Sequence, residues 1–309
     1  MMQAVAMRAV DSHKIETELR KACPRGIRVD EPMSKHTTFG AGGRAWFLAA
    51  PHRISELVSV VRAALKWDLP YVGVGRGSNL IVRDGGYDGL IIQVAGNLAG
   101  LRLLKRTAHA EAGLSFSKLG KVLTKNGRPG FEFAVGIPGS VGGAVRMNAG
   151  AFGSDLSSVL KSARLIDGSG RIVVRKPEEM EFRYRGSSLP PNSIVLSAIF
   201  HCPPGEIDEA CLQQSLGRKY TQPLSERTFG STFRNPRGGY AGQMIEACGL
   251  KGERRGGAMV SEKHANFMVN VGEGTRANDV EDLIQFVADR VEAKFGIRLK
   301  PEVIIIGNR

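Results

Sequence analysis

The sequence predicts an α+β protein, because helix-like and strand-like segments follow one another without the strict alternation that a doubly wound sheet requires. One observation is a pair of amphipathic helices, at about 53–67 and about 278–295, each with its apolar residues on one face. Another is the run of strand-like segments between 163 and 201, which contains no helical pattern. The length of 309 residues predicts about two domains.

The first third of the chain predicts a helix, then strands interrupted by one further helix. These elements are a helix within residues 1–30 that ends before Cys23-Pro24, a strand at Arg44–Ala50, the helix at about 53–67, and strands at Pro70–Val74 and Leu80–Val82. The glycine turn Gly75–Asn79 joins the last two strands. A nicotinamide-binding Rossmann fingerprint lies between a strand and a helix, so this turn disfavours such a domain.

The rest of the chain predicts strands, a central helix and a helical C-terminal part. These elements are strands within Leu90–Ala110, a helix from the N-cap Ser115 to Asn126, a hairpin of 163–167 with 171–175, a strand at 193–201, helices at about 241–248 and about 278–295, and a C-terminal strand at Glu302–Ile306. Pro203-Pro-Gly205 is the clearest boundary signal, and we expect a domain junction shortly after it.

The stretch from Gly136 to Gly153 contains six glycines, and no lysine or arginine lies between Arg128 and Arg146. Glycine lets successive backbone N–H groups turn toward one anion, and charge-assisted hydrogen bonds contribute roughly 1.5–3 kcal/mol each. We expect Gly142 to adopt a conformation that a β-branched residue cannot. The alternative is that these glycines form tight turns beneath helices.

Charge and composition narrow the classes of partner. The net charge of +13 suggests an anionic partner, and the scattered basic residues favour a broad attractive field over a nucleic-acid stripe. The four cysteines form no C-x-x-C pair and the histidines no ligand spacing, so we expect reduced thiols, a cytoplasmic location and no metal site. We expect no secretory signal and no membrane insertion, because apolar runs are far shorter than about 20 residues.

Four further positions carry chemistry and have ordinary alternatives. The segment Phe182–Ser187 puts two arginines into a strand-like run, which is either an exposed strand edge or an anion site. Ser231 directly follows a glycine, as turn-forming serines often do. Glu302 lies where an apolar strand begins and is either solvated or functional. His264 is either a phosphate donor or a partner for a buried carbonyl.

Seven ordered blocks from about residue 35 to the end resemble the UDP-N-acetylenolpyruvoylglucosamine reductases, the flavoenzymes that complete UDP-N-acetylmuramate for bacterial peptidoglycan. The blocks are Thr37–Gly40, Gly73–Val82, Gly136–Gly150, Tyr184–Ser187, Gly230–Pro236, Ala241–Gly252 and Pro301–Val303. The family usually has a small residue where Phe229 stands. Residues 188–195 are too short for the tyrosine-bearing lid loop, so the sequence resembles the shorter subfamily.

The resemblance implies an FAD-binding fold of the vanillyl-alcohol-oxidase type in two lobes, with a third α+β domain that binds substrate. The implied domains are 1–96 with the returning strand 298–309, 97–205, and 206–297. FAD would be held without a covalent bond. The implied cofactor-binding residues are Gly75, Arg76, Gly77, Ser78, Asn79, Leu80, Gly136, Ile137, Pro138, Gly139, Ser140, Gly142, Gly143, Asn148 and Gly150.

The same resemblance implies a ping-pong reaction in which NADPH reduces FAD and then leaves. Flavin N5 would then pass hydride to C3 of UDP-N-acetylglucosamine enolpyruvate. Arg185 would stabilise the enolate, Ser231 would protonate C2, and Glu302 would lie beside the substrate carboxylate. Lys219, Asn235 and His264 would contact the UDP-sugar.

Two other functions remain open from the residues alone. The first is a flavin oxidase of the same fold with a different substrate, against which Arg185, Ser231 and Glu302 argue. The second is a basic nucleic-acid-binding protein with 240–255 as its contact segment. That function would explain the charge, but it leaves both glycine loops without a role and offers few aromatic residues for stacking.

Overall fold

The computed structural model describes the backbone of residues 2–309 and the side chains of residues 11–309. The helices are α1 (Met2–Ala22), α2 (Ile54–Lys66), α3 (Phe116–Lys125), α4 (Val141–Met147), α5 (Glu209–Thr221), α6 (Ala241–Ala247) and α7 (Ala277–Phe295). The strands are β1 (Ile27–Pro32), β2 (Arg44–Ala49), β3 (Tyr71–Val74), β4 (Leu80–Val82), β5 (Tyr87–Gln93), β6 (Leu101–Leu103), β7 (Thr107–Glu111), β8 (Gly150–Ala151), β9 (Ser154–Asp155), β10 (Leu160–Ile166), β11 (Ile172–Arg175), β12 (Ile194–His201), β13 (Thr228–Ser231), β14 (Arg254–Arg255), β15 (Ala258–Val260), β16 (Phe267–Asn270) and β17 (Ile304–Ile306).

The first sheet has the order β1-β2-β5-β3. Strands β2, β5 and β3 run parallel, and β1 closes one edge antiparallel to β2. The predicted amphipathic helix is confirmed as α2, which buries Leu57, Val58 and Val61 in the large apolar core. Strand β1 was not predicted, because its two strong strand formers, Ile27 and Val29, are followed by the weak strand formers Asp30, Glu31 and Pro32.

The second sheet is antiparallel in the order β11-β10-β12-β7-β6. The predicted hairpin is confirmed: Ile166 pairs with Ile172, and Asp167 Oδ1 accepts hydrogen bonds from the backbone N–H groups of Ser169 and Arg171 at 2.9 and 3.0 Å. The helix at 115–126 is also confirmed, with the Ser115 side chain accepting from Lys118 N–H.

The third sheet, β13-β16-β15-β14, is antiparallel and packs with α6 and α7 around a second apolar core. Helix α7 buries the face that its 3.6-residue periodicity predicts, including Val280, Leu283 and Val287. Gly296 ends this helix in the left-handed conformation, with φ of 68°.

Strand β17 lies far from its neighbours in sequence. It pairs parallel with β4, in a register that places Ile304 opposite Leu80. Just before β17, Pro301 bridges to Phe233, and Asn79 Nδ2 donates to the Glu302 carbonyl at 3.2 Å. The C-terminal segment therefore touches both the loop after β3 and the segment after β13.

One local prediction is wrong, and one helix was not predicted. Phe182–Ser187 is a tight turn rather than a strand: the backbone N–H and C=O groups of Arg183 and Gly186 bond to each other at 3.0 and 3.1 Å. The glycine stretch also contains the helix α4, whose N-cap is Ser140. Among residues 2–309, no helix is both long enough and apolar enough to span a bilayer.

Candidate active site

The two glycine loops predicted to serve one ligand lie in direct contact. A Cβ on Gly75 would overlap Ser140 Oγ, and a Cβ on Gly139 would lie 3.2 Å from Ser78 Oγ. Gly139 has φ of 118°, which L-residues rarely adopt. The backbones of the two loops therefore approach each other at a distance that side chains would prevent.

Several backbone N–H groups in these loops have no hydrogen-bond partner among the described residues. Within residues 2–309, the amides of Gly77, Ser78, Gly139 and Ser140 make no hydrogen bond to a protein acceptor. Unpaired amides on adjoining glycine loops form the kind of concave site that binds phosphate without a lysine. Since a dinucleotide carries a pyrophosphate, the loops have the donor chemistry that such a cofactor requires.

Three other predicted cofactor residues, Gly142, Asn148 and Gly136, make packing contacts or hydrogen bonds within the protein itself. The expectation for Gly142 is wrong, since it lies within α4 and its restriction is proximity: a Cβ would lie 3.0 Å from Ala112 Cβ. Asn148 ends α4 with φ of 43°. Its side-chain Nδ2 donates to Asp155 Oδ2 at 3.0 Å, and its Oδ1 accepts from Ser157 N–H at 3.0 Å. A Cβ on Gly136 would contact the Ser215 carbonyl in α5.

A cleft of about 520 Å³ brings together several residues predicted for catalysis and substrate binding. Arg185, Ser231, Asn235 and His264 all line it, although they lie far apart in the chain. Gly150 also lines it, and so do Arg218, Gln222, Lys263 and Asn266, which were not predicted.

Glu302 contacts this cleft through Arg185. Arg185 Nε donates to Glu302 Oε1 at 2.9 Å, and the Glu302 side chain is 15% exposed. Burial raises the pKa of Glu302 above its ordinary value, and the nearby cations of Arg185, Arg234 and Arg218 oppose that rise. Burial outweighs the cations, so the protonated acid persists to a higher pH than in an exposed glutamate.

The turn at 183–186 determines where the Arg185 guanidinium lies. Arg185 is in the left-handed region with φ of 55°, and its guanidinium carbon lies 4.9 Å from the Tyr184 ring centroid. A non-glycine residue in this conformation costs roughly 1–2 kcal/mol. Such strain at a residue that also contacts a buried carboxylate is typical of a functional site.

The structure separates Lys219 from the predicted substrate contacts. Its side chain is exposed, and its ammonium lies 4.8 Å from the Tyr220 ring centroid. The preceding residue, Arg218, lines the cleft instead, and its Nε donates to Gln222 Oε1 at 3.0 Å. Burial lowers the pKa of Arg218, and its Nη1 is buried without a partner among the described residues.

His264 is oriented by a backbone contact. Asn266 N–H donates to His264 Nδ1 at 3.2 Å, so the proton of the neutral ring lies on Nε2. Burial lowers the pKa of His264 below its ordinary value of 6.5. His264 is therefore neutral near pH 7 and presents an N–H donor. Asn235, the other predicted contact, uses its Oδ1 to accept from Ala241 N–H at 3.1 Å, at the start of α6.

Phe229, the unusual neighbour of the Gly-Ser pair, packs away from the cleft. It is 1% exposed, and its ring centroid lies 5.2 Å from that of Phe39. The bulky side chain therefore does not crowd Ser231.

Comparison with known proteins identifies the family. Residues 222–306 match the C-terminal domain of UDP-N-acetylenolpyruvoylglucosamine reductase. The UDP-N-acetylenolpyruvoylglucosamine reductase of Clostridioides difficile strain 630 is 43% identical over 285 residues, which cover 91% of this chain and 93% of that protein. The chain belongs to the UDP-N-acetylenolpyruvoylglucosamine reductase family. The reductase of Anoxybacillus flavithermus is 42% identical over 301 residues, covering 96% and 99% of the two chains.

Membership of the reductase family agrees with the fold. The crystal structure of UDP-N-acetylenolpyruvylglucosamine reductase from Thermus caldophilus superposes with a TM-score of 0.78 at 34% identity, over 90% of this chain and 99% of that one. Residues 46–175 match an FAD-binding domain, which includes both glycine loops. The chain is an FAD-dependent oxidoreductase with the predicted vanillyl-alcohol-oxidase type of fold.

Proposed function

We propose that this reductase-family protein uses NADPH to reduce the enolpyruvyl double bond of UDP-N-acetylglucosamine enolpyruvate, giving UDP-N-acetylmuramate. The observation that carries the proposal is the convergence of Arg185, Ser231 and Glu302 from three distant parts of the chain. Arg185 and Ser231 line one cleft, and Glu302 is bonded to Arg185. An anion-binding group, a hydroxyl and a buried acid are the groups that this reduction requires.

The glycine loops are our proposed site for the FAD pyrophosphate. The loops at 75–80 and 136–143, with Asn148 and Gly150, are the predicted cofactor segments. Their contact and the free amides of Gly77, Ser78, Gly139 and Ser140 support that role. These residues would hold the pyrophosphate, and bound FAD would provide the hydride-transfer chemistry between NADPH and C3 of the substrate.

Arg185 and Glu302 act on the substrate carboxylate in this proposal. The Arg185 guanidinium stabilises the negative charge that develops on the carboxylate side as hydride reaches C3. Glu302 in its protonated form donates a hydrogen bond to the same carboxylate. Burial favours that form, and two ionised carboxylates at this place would repel each other.

Ser231 is the proposed proton donor to C2. A serine hydroxyl is a weak acid in water, but the carbanion character that develops at C2 makes C2 itself a strong base. The serine directly follows Gly230, whose φ of 86° bends the chain so that Ser231 reaches the cleft.

Arg218, His264 and Asn235 are the proposed contacts for the UDP-sugar. Arg218 has a buried donor without a partner among the described residues, and phosphate oxygens satisfy such donors well. The Nε2–H of neutral His264 supplies a further donor to the same cleft. Contact between Lys219 and the UDP-sugar remains a prediction, and the exposed position of the Lys219 side chain does not support it.

We retain the domain division predicted above, with residues 1–96 and 298–309 in the first lobe, 97–205 in the second, and 206–297 in the substrate domain. The pairing of β17 with β4 supports the placement of the C-terminal strand. We also propose that the reaction takes place in the cytoplasm, where NADPH is available. The four cysteines, all of which are free thiols, are consistent with that compartment.

The test is a pair of separated half-reactions with the purified protein. A yellow protein bleached by NADPH under anaerobic conditions supports the first half-reaction. Addition of UDP-N-acetylglucosamine enolpyruvate to the reduced protein should then restore the flavin absorbance and produce UDP-N-acetylmuramate. A reduced protein that stays bleached with this substrate would refute the proposed function, and reoxidation by oxygen alone would point to an oxidase.

A further inference from the structure

Asn266 lies between the strand that carries Ser231 and the loop that carries His264. It is 5% exposed and lines the cleft. Its Oδ1 accepts from Phe233 N–H at 2.9 Å, and its Nδ2 donates to the Phe233 carbonyl at 2.8 Å. Its backbone carbonyl accepts from Thr232 N–H at 2.8 Å. The Asn266 side chain therefore pairs with both the backbone N–H and the backbone C=O of Phe233, which lies two residues after Ser231.

We propose that Asn266 is a positioning residue for the protonation step, an inference that rests on the proposed function. The side-chain amide replaces backbone pairing that the sheet does not provide here. Strands β13 and β16 pair at Thr228 with Val269 and at Ser231 with Phe267, and the register shifts between these two pairs. Beyond Ser231 the amide of Asn266 continues the pairing, and this fixes where the Ser231 hydroxyl lies in the cleft.

The same residue couples Ser231 to two other groups of the site. Thr232, held by the Asn266 carbonyl, accepts through its own carbonyl from Glu302 N–H at 2.8 Å. The Asn266 N–H donates to His264 Nδ1 at 3.2 Å and so selects the ring tautomer with its proton on Nε2. The backbone next to Ser231, the backbone of Glu302 and the ring of His264 are therefore linked through two buried residues, Thr232 and Asn266.

Only a carboxamide of this length provides the required donor and acceptor. Aspartate keeps the acceptor for Phe233 N–H but has no hydrogen to donate to the Phe233 carbonyl when ionised. Alanine provides neither group and leaves both polar atoms of Phe233 buried without partners. In either variant we expect the segment after Ser231 to shift, because Phe233 loses one or both of these hydrogen bonds. A displacement of the Ser231 hydroxyl by about 1 Å can lower the rate by about 10²-fold.

The experiment compares Asn266→Ala with Asn270→Ala in the FAD-loaded protein. Asn270 is the matched control, because it lies on the adjoining strand and makes three side-chain hydrogen bonds, to Phe39, Gly272 and Thr275, away from Ser231. We expect Asn266→Ala to slow reoxidation of the reduced protein by UDP-N-acetylglucosamine enolpyruvate by about 10²-fold and to leave reduction by NADPH nearly unchanged. Asn270→Ala should lower thermal stability without slowing reoxidation.

Two further readouts separate positioning from general destabilisation. Adding Asn266→Ala to Ser231→Ala should slow reoxidation no further, because the hydroxyl that Asn266 positions is already absent. Backbone hydrogen exchange at Phe233 should also accelerate in Asn266→Ala and not in Asn270→Ala. If the alanine variant does not fold, Asn266→Asp takes its place, with an expected slowing of at least about tenfold.

The outcomes distinguish this inference from the function beneath it. A wild-type reduced protein that the substrate does not reoxidise would overturn the proposed function and this inference together. A wild-type protein that is reoxidised, with equal rates in Asn266→Ala and Asn270→Ala, would overturn the inference alone. Multiplicative slowing in the double variant would likewise show that Asn266 does not act through Ser231.

Discussion

Gly139→Ala tests whether the contact between the two glycine loops holds the cofactor. Gly139 has φ of 118°, and an added Cβ would lie 3.2 Å from Ser78 Oγ on the facing loop. Gly96 is the matched control, because its φ of 97° is similarly unfavourable for alanine and an added Cβ there meets nothing within 4 Å. The two substitutions therefore share a backbone penalty and differ in their surroundings.

The expected magnitudes follow from those contacts. Backbone strain costs about 1–3 kcal/mol, and the smaller entropy of the unfolded alanine chain returns about 0.4–1 kcal/mol, so both variants should lose about 1–2 kcal/mol of unfolding free energy. Only in Gly139→Ala does relief of the strain rotate the unpaired amides of Gly139 and Ser140. Loss of one charge-assisted hydrogen bond of about 1.5–3 kcal/mol should raise the dissociation constant for FAD by about 10- to 100-fold.

The assay is titration of each apoprotein with FAD, followed by flavin fluorescence, with chemical denaturation measured on the same samples. We expect both variants to unfold at lower denaturant concentration than the wild type, and only Gly139→Ala to bind FAD more weakly. Equal FAD affinity in the two variants would show that the amides of this loop do not bind the pyrophosphate.

Three further substitutions test the catalytic groups. Ser231→Ala should leave reduction by NADPH intact and slow reoxidation by substrate by roughly 10²–10⁴-fold in stopped-flow traces; equal slowing of both half-reactions would exclude the serine as proton donor. Because burial raises the pKa of Glu302, substrate affinity in spectral titrations should fall as the pH rises through that raised pKa and the acid ionises, and Glu302→Gln should remove that pH dependence. Arg218→Met should raise the free energy of unfolding of the ligand-free protein by about 1 kcal/mol while weakening substrate binding, and unchanged affinity would exclude Arg218 as a diphosphate ligand.

Sequence reasoning predicted well those elements whose residues determine their own structure. Helix α7 has an apolar face and a terminal Gly296, and the hairpin at 167–170 has the Asp-Gly-Ser-Gly sequence that closes a tight turn. The convergence of distant residues came from the family resemblance rather than from periodicity. No local pattern indicates that Glu302 and Arg185, 117 positions apart, are bonded to each other.

The errors have identifiable physical causes. The Phe-Arg-Tyr-Arg sequence has the aromatic content of a strand, but Arg185 adopts a left-handed conformation that its residue type disfavours, so tertiary contacts override the local preference. Lys219 and Arg218 are adjacent on one helix, where neighbouring side chains diverge by about 100°. The sequence alone does not show which of these two side chains faces the cleft, because the other residues that line the cleft come from distant parts of the chain.

The electrostatics of the site predict that substrate binding and the stability of the ligand-free protein oppose each other. Arg185, Arg218 and Arg234 lie near the largely buried carboxyl of Glu302, and burial lowers the pKa of Arg218, with the Arg185 charge adding to that effect. Partly desolvated cations in excess of their counter-charges destabilise the ligand-free fold. The proposed substrate, which carries a diphosphate and a carboxylate, would supply negative charge at the same place. The protein therefore maintains an unfavourable charge distribution that its proposed ligand relieves, and this difference between the free and bound states is a source of affinity that added contact area alone would not provide.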